Sequence, residues 1–329
     1  MKQNFRMYEN RLKKFVIGLL LLFVLTIMYL VDLIRVDILN ILMLTLVLTS
    51  MYTSGVALLV KIFKIADSPL MFRFAIGSIA VSMGTTLLLF TQLLTYSNTL
   101  IMLVALQVPL FLDVIIKKSH KKYYGLLMND RGHYIYYALI IFFFGMLILT
   151  STEYLTPGDK YRWVAMKSYV ELGGHSNISY DFRNLSPFYA ETFLLLGMVL
   201  GGESLALMIN ILFQLFISLS LFDYFFNEEK IPTKISAFLT IIFFLNACFL
   251  IDAPRGYISI IISFFIWLIY FSLNKWKTTK NKQYFYISIL FAGFAAGTKL
   301  HSLFIVLLLS IYIFVVENGG KMTKSSISQ

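Results

Sequence analysis

The chain has 329 residues, of which 59% are hydrophobic and only 14% charged, whereas soluble domains carry about 25% charged residues. With a mean hydropathy of +0.78, this excludes a soluble globular protein and predicts an all-α integral membrane protein. The net charge of +11 comes from 28 Lys and Arg against 17 Asp and Glu; it is read as cytoplasmic loop charge, not as a nucleic-acid surface, because such loops collect Lys and Arg.

A crossing helix needs about 20 mostly apolar residues. In chain order the stretches that qualify are 15–31, 38–60, 74–94, 99–116 and 134–150, followed after a polar interval by 204–226, 235–251, 257–273, 284–298 and 302–316. The expected architecture is about ten transmembrane helices with one large outer loop that contains interfacial helices. The first stretch has no small-residue cleavage site and is expected to remain as an anchor. The single cysteine, Cys248, lies in an apolar run and excludes a disulfide framework within one chain.

Orientation follows from the basic residues. With both termini in the cytoplasm, most of the Lys and Arg fall on the inner side, and only Arg35, Lys160, Arg162, Lys167, Arg183, Arg255 and Lys299 fall outside. The polar loop then faces outward. This count requires that the short apolar stretch 193–200 not cross, so residues 187–201 are expected to form a helix lying at the outer interface. The basic, aromatic stretch 117–133 divides the chain into an N-terminal four-helix transmembrane region, 1–133, and a second transmembrane region, 134–329, whose outer loop spans 152–202.

Within that loop, Pro157-Gly158-Asp159 precedes apolar residues at Tyr161, Val164, Ala165, Ser168, Tyr169 and Leu172. Their spacing predicts a helix with Asp159 at or near its N-cap. A carboxylate there stays ionised and could accept a proton from an attacking hydroxyl; a helix cap without chemistry is the alternative. Asp252-Ala-Pro-Arg255 could form an anion-handling turn, since a guanidinium offers two parallel N–H donors to a phosphate. In Gly297-Thr-Lys299-Leu-His301, the ammonium could meet a lipid phosphate and the imidazole could serve as a base. Snorkelling and a solvated turn are the plain alternatives. Asp159 and Asp252 could share a divalent metal ion, although two carboxylates are a thin ligand set.

The order of these pieces resembles the GT-C glycosyltransferases that use polyprenyl-phosphate-linked sugars. It comprises a span, an outer loop with an early Asp, a Ser-Pro-Phe-Tyr stretch ending near Gly201-Gly202-Glu-Ser-Leu-Ala, two spans, an outer Asp-Ala-Pro-Arg, two more spans, and Ala-Gly-Phe-Ala-Ala-Gly-Thr-Lys. The resemblance covers about residues 134–316, so the second region is expected to be a GT-C-like core. It implies that Asp159 is the base and Asp252 a second catalytic carboxylate. It further implies that Arg255 and Lys299 contact the donor phosphate; His301, Arg162 and Tyr161 are further candidate substrate-binding residues.

The expected function is transfer of a sugar from the lipid-linked donor to a glycan, lipid or protein acceptor at the outer face, in cell-envelope or capsular polysaccharide assembly. Gly158-Asp159-Lys160-Tyr161, Arg255 and His301 equally resemble Wzy-type repeat-unit polymerases. A lipid-linked glycan transporter or flippase is the competing class; such proteins often show internal repeats and midplane charges, and neither is evident here.

Overall fold

The computed structural model describes residues 38–65, 68–117, 160–174, 189–244, 257–298, 302–304, 306–308 and 311, with the backbone alone described at 38, 110–117, 160–162 and 244. The expected spans 15–31 and 134–150 lie outside these residues. The described secondary structure is entirely helical: α1 (Ile38–Lys61), α2 (Leu70–Phe90), α3 (Tyr96–Lys117), α4 (Lys160–Leu172), α5 (Glu191–Asp223), α6 (Thr233–Phe244), α7 (Ser259–Thr279) and α8 (Lys282–Ala296). Four of them, α1, α2, α5 and α7, are long and apolar enough to cross a membrane. The protein is therefore membrane-embedded and helical.

In lipid the hydrophobic effect does not drive helices together, so close packing must. The seam between α1 and α2 shows how. A β-carbon on Gly55 would lie 1.7 Å from the Arg73 carbonyl oxygen, and one on Gly77 would lie 1.6 Å from that of Met51. The two backbones touch, and only glycine fits at either point. Helix α3 joins the seam through the Ser50 hydroxyl, which accepts from Gln107 Nε2 at 3.0 Å and lies 3.0 Å from the Leu103 carbonyl oxygen.

Helix α2 begins four residues before the expected 74–94 stretch, directly after extended Pro69 (φ −50°, ψ 143°). It also ends early, because Gln92 adopts a left-handed φ of 58°. Leu94, apolar enough to read as helix, instead donates its N–H to the Gly173 carbonyl at 2.8 Å and fastens the end of α4 to the bundle.

The helical segments before residue 118 and after residue 188 share one hydrophobic core. Phe72 of α2 meets Phe271 of α7 edge-on at 5.2 Å and Phe291 of α8 at 5.7 Å. Phe213 of α5 meets Phe264 of α7 at 5.7 Å. Each such pair contributes about 0.5–1.5 kcal/mol beyond its buried area.

The two ends of the bundle differ in charge. Lys61, Lys64, Arg73, Lys230, Lys234, Lys275, Lys277, Lys280 and Lys282 fall at one end, set there by helix direction. Here α5 continues as a π-helical turn, Tyr224–Glu228. Tyr224 donates to Glu229 Oε1 at 2.5 Å and accepts from Asn274 Nδ2 at 3.4 Å. Glu228 pairs with Lys275. Buried Arg73 rests on neutral acceptors: Ser68 Oγ at 3.2 Å, the Ser68 carbonyl at 3.1 Å and Tyr52 at 3.3 Å.

Candidate functional site

Five of the residues singled out from the sequence, Asp159, Asp252, Arg255, Lys299 and His301, lie outside the described residues, as do the side chains of Tyr161 and Arg162. What the structure gives is the frame to which they attach, at the end opposite the lysines. That frame is built around α5.

Helix α5 is not one rod. Gly201 (φ −159°, ψ 17°) and Gly202 (φ 74°, ψ −162°) break it into a short arm, residues 191–200, and a long arm, residues 203–223. A β-carbon on Gly197 would sit 2.4 Å from Ala206 Cα, and the rings of Phe193 and Phe213 are centred 4.8 Å apart. In a straight helix those two phenylalanines would be about 30 Å apart. The arms therefore fold back on each other as an antiparallel hairpin. Gly202 is needed for its left-handed φ, which L side chains rarely adopt. A β-carbon on Gly201 would meet Asn40 Oδ1 at 2.0 Å, so a larger residue there would have to displace that side chain.

This corrects the interfacial helix expected at 187–201. The helix begins at Glu191, and Thr192 to Gly197 and Leu200 are buried against protein. An amphipathic interfacial helix would keep a polar face toward the headgroups; apart from Glu191 and Thr192, residues 191–200 have no such side chains. The arm starts inside the bundle and rises to the turn at Gly201-Gly202.

Its buried start is tied to α2. Ser82 and Thr192 lie 2.7 Å apart, and both reach the Tyr189 carbonyl, Ser82 at 2.9 Å and Thr192 at 2.6 Å. Two hydroxyl protons serve these three contacts, so one hydroxyl donates to the carbonyl while the other divides its proton between neighbours. The Tyr189 ring stacks on Phe294 at 5.7 Å and lies where a β-carbon on Gly297 would be, 2.4 Å from its Cε2. Gly297 is two residues before Lys299. On the other side, buried Asn210 donates through Nδ2 to the Tyr257 carbonyl at 3.3 Å, and Tyr257 is two residues after Arg255. The end of the polar loop and the chain flanking Arg255 and Lys299 thus both pack against α5.

Helix α4 forms over Lys160–Leu172 as the spacing predicts, directly after Asp159, but with a different buried face. Trp163, Met166 and Tyr169 are buried, whereas Val164 and Leu172 are 65% and 64% exposed. The long Trp and Met side chains bury more surface than Val does, and that sets the rotation. Tyr161 and Arg162 fall in its first turn.

Lys167, on an adjacent stripe, meets Glu203 at 2.5 Å. This hydrogen bond, with the charge of Glu203, raises the Lys167 pKa above its usual 10.5. Burial, helped by the Glu191 carboxylate, pushes the Tyr169 phenol above its usual 10.0.

Sequence reasoning missed Ser82, Thr192, Tyr189 and Asn210. The one signal available was Asn210, an amide within an apolar run, which in lipid implies an internal partner. Among the described residues no group of three His, Cys, Asp or Glu comes together, and the suggested metal pair, Asp159 and Asp252, lies outside them. Comparison with protein-family models, curated proteins and solved structures gives no match.

Proposed function

We propose that the chain is a membrane glycosyltransferase that moves a sugar from a polyprenyl-phosphate-linked donor to a hydroxyl acceptor at the outer face. The observation that carries this reading is the α5 hairpin. It draws the end of the polar loop into the bundle and seats Tyr189 on Gly297, beside the chain that leads to Lys299, while Asn210 holds the chain that leads from Arg255.

Asp159 takes the proton of the acceptor hydroxyl as its oxygen attacks the anomeric carbon. The bond between that carbon and the phosphate oxygen breaks, and Arg255 and Lys299 stabilise the polyprenyl phosphate that leaves. Asp252 is the second carboxylate, and Tyr161, Arg162 and His301 border the sugar. A donor bearing diphosphate and an oligosaccharide would make the same arrangement a Wzy-type polymerase.

The test uses Asp159→Asn and Arg255→Ala variants whose presence in membranes is verified by immunoblot. Loss of glycan product in both is expected, typically by a hundredfold or more for removal of a general base. Wild-type synthesis in both variants overturns the proposal. Movement of labelled lipid-linked sugar across reconstituted vesicles without bond formation would assign the chain to the transporters.

A further inference from the structure

We propose that the basic end of the bundle is a binding surface for anionic phospholipid headgroups, organised by Lys64, Lys230 and Lys280. Among the described residues, four that are not glycine have positive φ: Lys64 (54°), Lys230 (54°), Lys280 (57°) and Gln92 (58°). Three of the four are lysines, all three at one end of the molecule. A left-handed residue after a helix is usually Gly and sometimes Asn, because a β-carbon strains that conformation. Lysine has no side-chain amide to offset the strain as Asn does.

Helix-dipole complementarity does not account for the choice. A cation near a helix C-terminus is favourable, but it can sit in the last helical turn with ordinary φ, as Lys61 does in α1 and Lys277 in α7. Lys280 caps α7 in addition to Lys277, with its backbone N–H on the Trp276 carbonyl at 2.8 Å. Orientation by loop charge asks only for lysines somewhere nearby. The three left-handed positions are the terminating turns themselves.

All three lysines are exposed, and among the described residues none of them meets a carboxylate. Among the described residues the acids at this end are engaged elsewhere, Glu228 with Lys275, Glu229 with the Tyr224 hydroxyl and Asp223 with the Asn227 amide. The depth also fits. Helix α1 has 24 residues, about 36 Å of rise against about 30 Å of hydrocarbon, so the turn after it lies among headgroups. A phosphate diester is the anion found at that level. Orientation by charge asymmetry does not depend on a bound lipid, so the two roles separate experimentally.

The test is a triple variant, K64N/K230N/K280N, since asparagine accepts the left-handed conformation. Purified protein in neutral detergent is titrated with phosphatidylglycerol, with phosphatidylcholine and inorganic phosphate as controls, reading thermal stability and lipid adducts by native mass spectrometry. The wild type is expected to be stabilised by phosphatidylglycerol alone. The variant should match or exceed wild-type stability without lipid but bind phosphatidylglycerol about fivefold more weakly per lysine, roughly a hundredfold in all.

The matched control K234N/K277N/K282N removes exposed lysines from positions outside the left-handed turns and should lose less. Equal phosphatidylglycerol binding by the triple variant overturns the proposal. So does an equal loss in the control, which would reduce the surface to undirected charge, and so does equal stabilisation by inorganic phosphate.

Discussion

The two ends of this bundle handle polar groups in opposite ways. At the lysine end, apart from buried Arg73, lysines such as Lys64, Lys230 and Lys280 are turned outward, and the described acids are engaged by neighbours, as Glu228 is by Lys275 and Glu229 by Tyr224. At the other end, uncharged polar groups are turned inward onto backbone carbonyls: Ser82 and Thr192 onto Tyr189, Asn210 onto Tyr257. The first arrangement suits a charged surface and costs little desolvation. The second keeps irregular chain inside a membrane protein, where every unpaired backbone group would cost several kcal/mol. An end built that way holds something in place.

Breaking the inward arrangement should cost most. A methyl at Gly197 meets Ala206 backbone at 2.4 Å, so Gly197→Ala should separate the arms of α5 and destabilise the protein by about 3 kcal/mol. The measurement is thermal unfolding in detergent, and wild-type stability would contradict the hairpin.

Next comes the double variant Ser82→Ala with Thr192→Ala. Either substitution alone leaves one donor on the Tyr189 carbonyl and should cost about 0.5 kcal/mol, whereas together they strip it and should cost about 2 kcal/mol in all, more than the sum. Additive effects in a double-mutant cycle would show that the hydroxyls do not share the carbonyl. Asn210→Leu should cost less, about 0.6 kcal/mol, the usual value for a hydrogen bond between membrane helices. Its sharper readout is increased protease sensitivity just before Tyr257.

The smallest effect belongs to Lys167, which is exposed and paired with Glu203. Its folded pKa is raised above 10.5. The pair's contribution is therefore fully present below that pH and disappears as pH rises through the raised value. Wild type and Lys167→Met should consequently differ slightly at neutral pH and converge in a stability–pH titration above about pH 10.5. A difference that widens with pH would mean that the ion pair is not the cause.

How much of this could be read from the chain depends on what hydropathy encodes. Long apolar helices were legible because about 20 apolar residues in a row have few other uses; residues 38–60, for example, form α1, Ile38–Lys61. Apolarity does not say which way a helix goes after it ends. Residues 191–228 could be one long helix, a crossing plus an interfacial segment, or a hairpin, and φ at Gly202 decides among them.

Helix α4 was legible as a helix, but its buried face was not, since Trp163 and Val164 look equally suitable until neighbours compete for them. The candidate residues were chosen by type and lie outside the described residues; the hydroxyl pair at Ser82 and Thr192 was not legible, because serine and threonine in apolar helices usually bond their own backbone, as Ser54 and Thr85 do.

The hairpin has a consequence for how the protein is made. Its short arm is ten residues of helix that cannot be inserted as a crossing of its own. Its turn rests against Asn40, and the segment at its start touches Ser82 and Gly297. The last of these emerges from the ribosome nearly a hundred residues after the arm itself. The contacts that hold the arm are therefore complete only once Gly297 has been made, later than the arm itself.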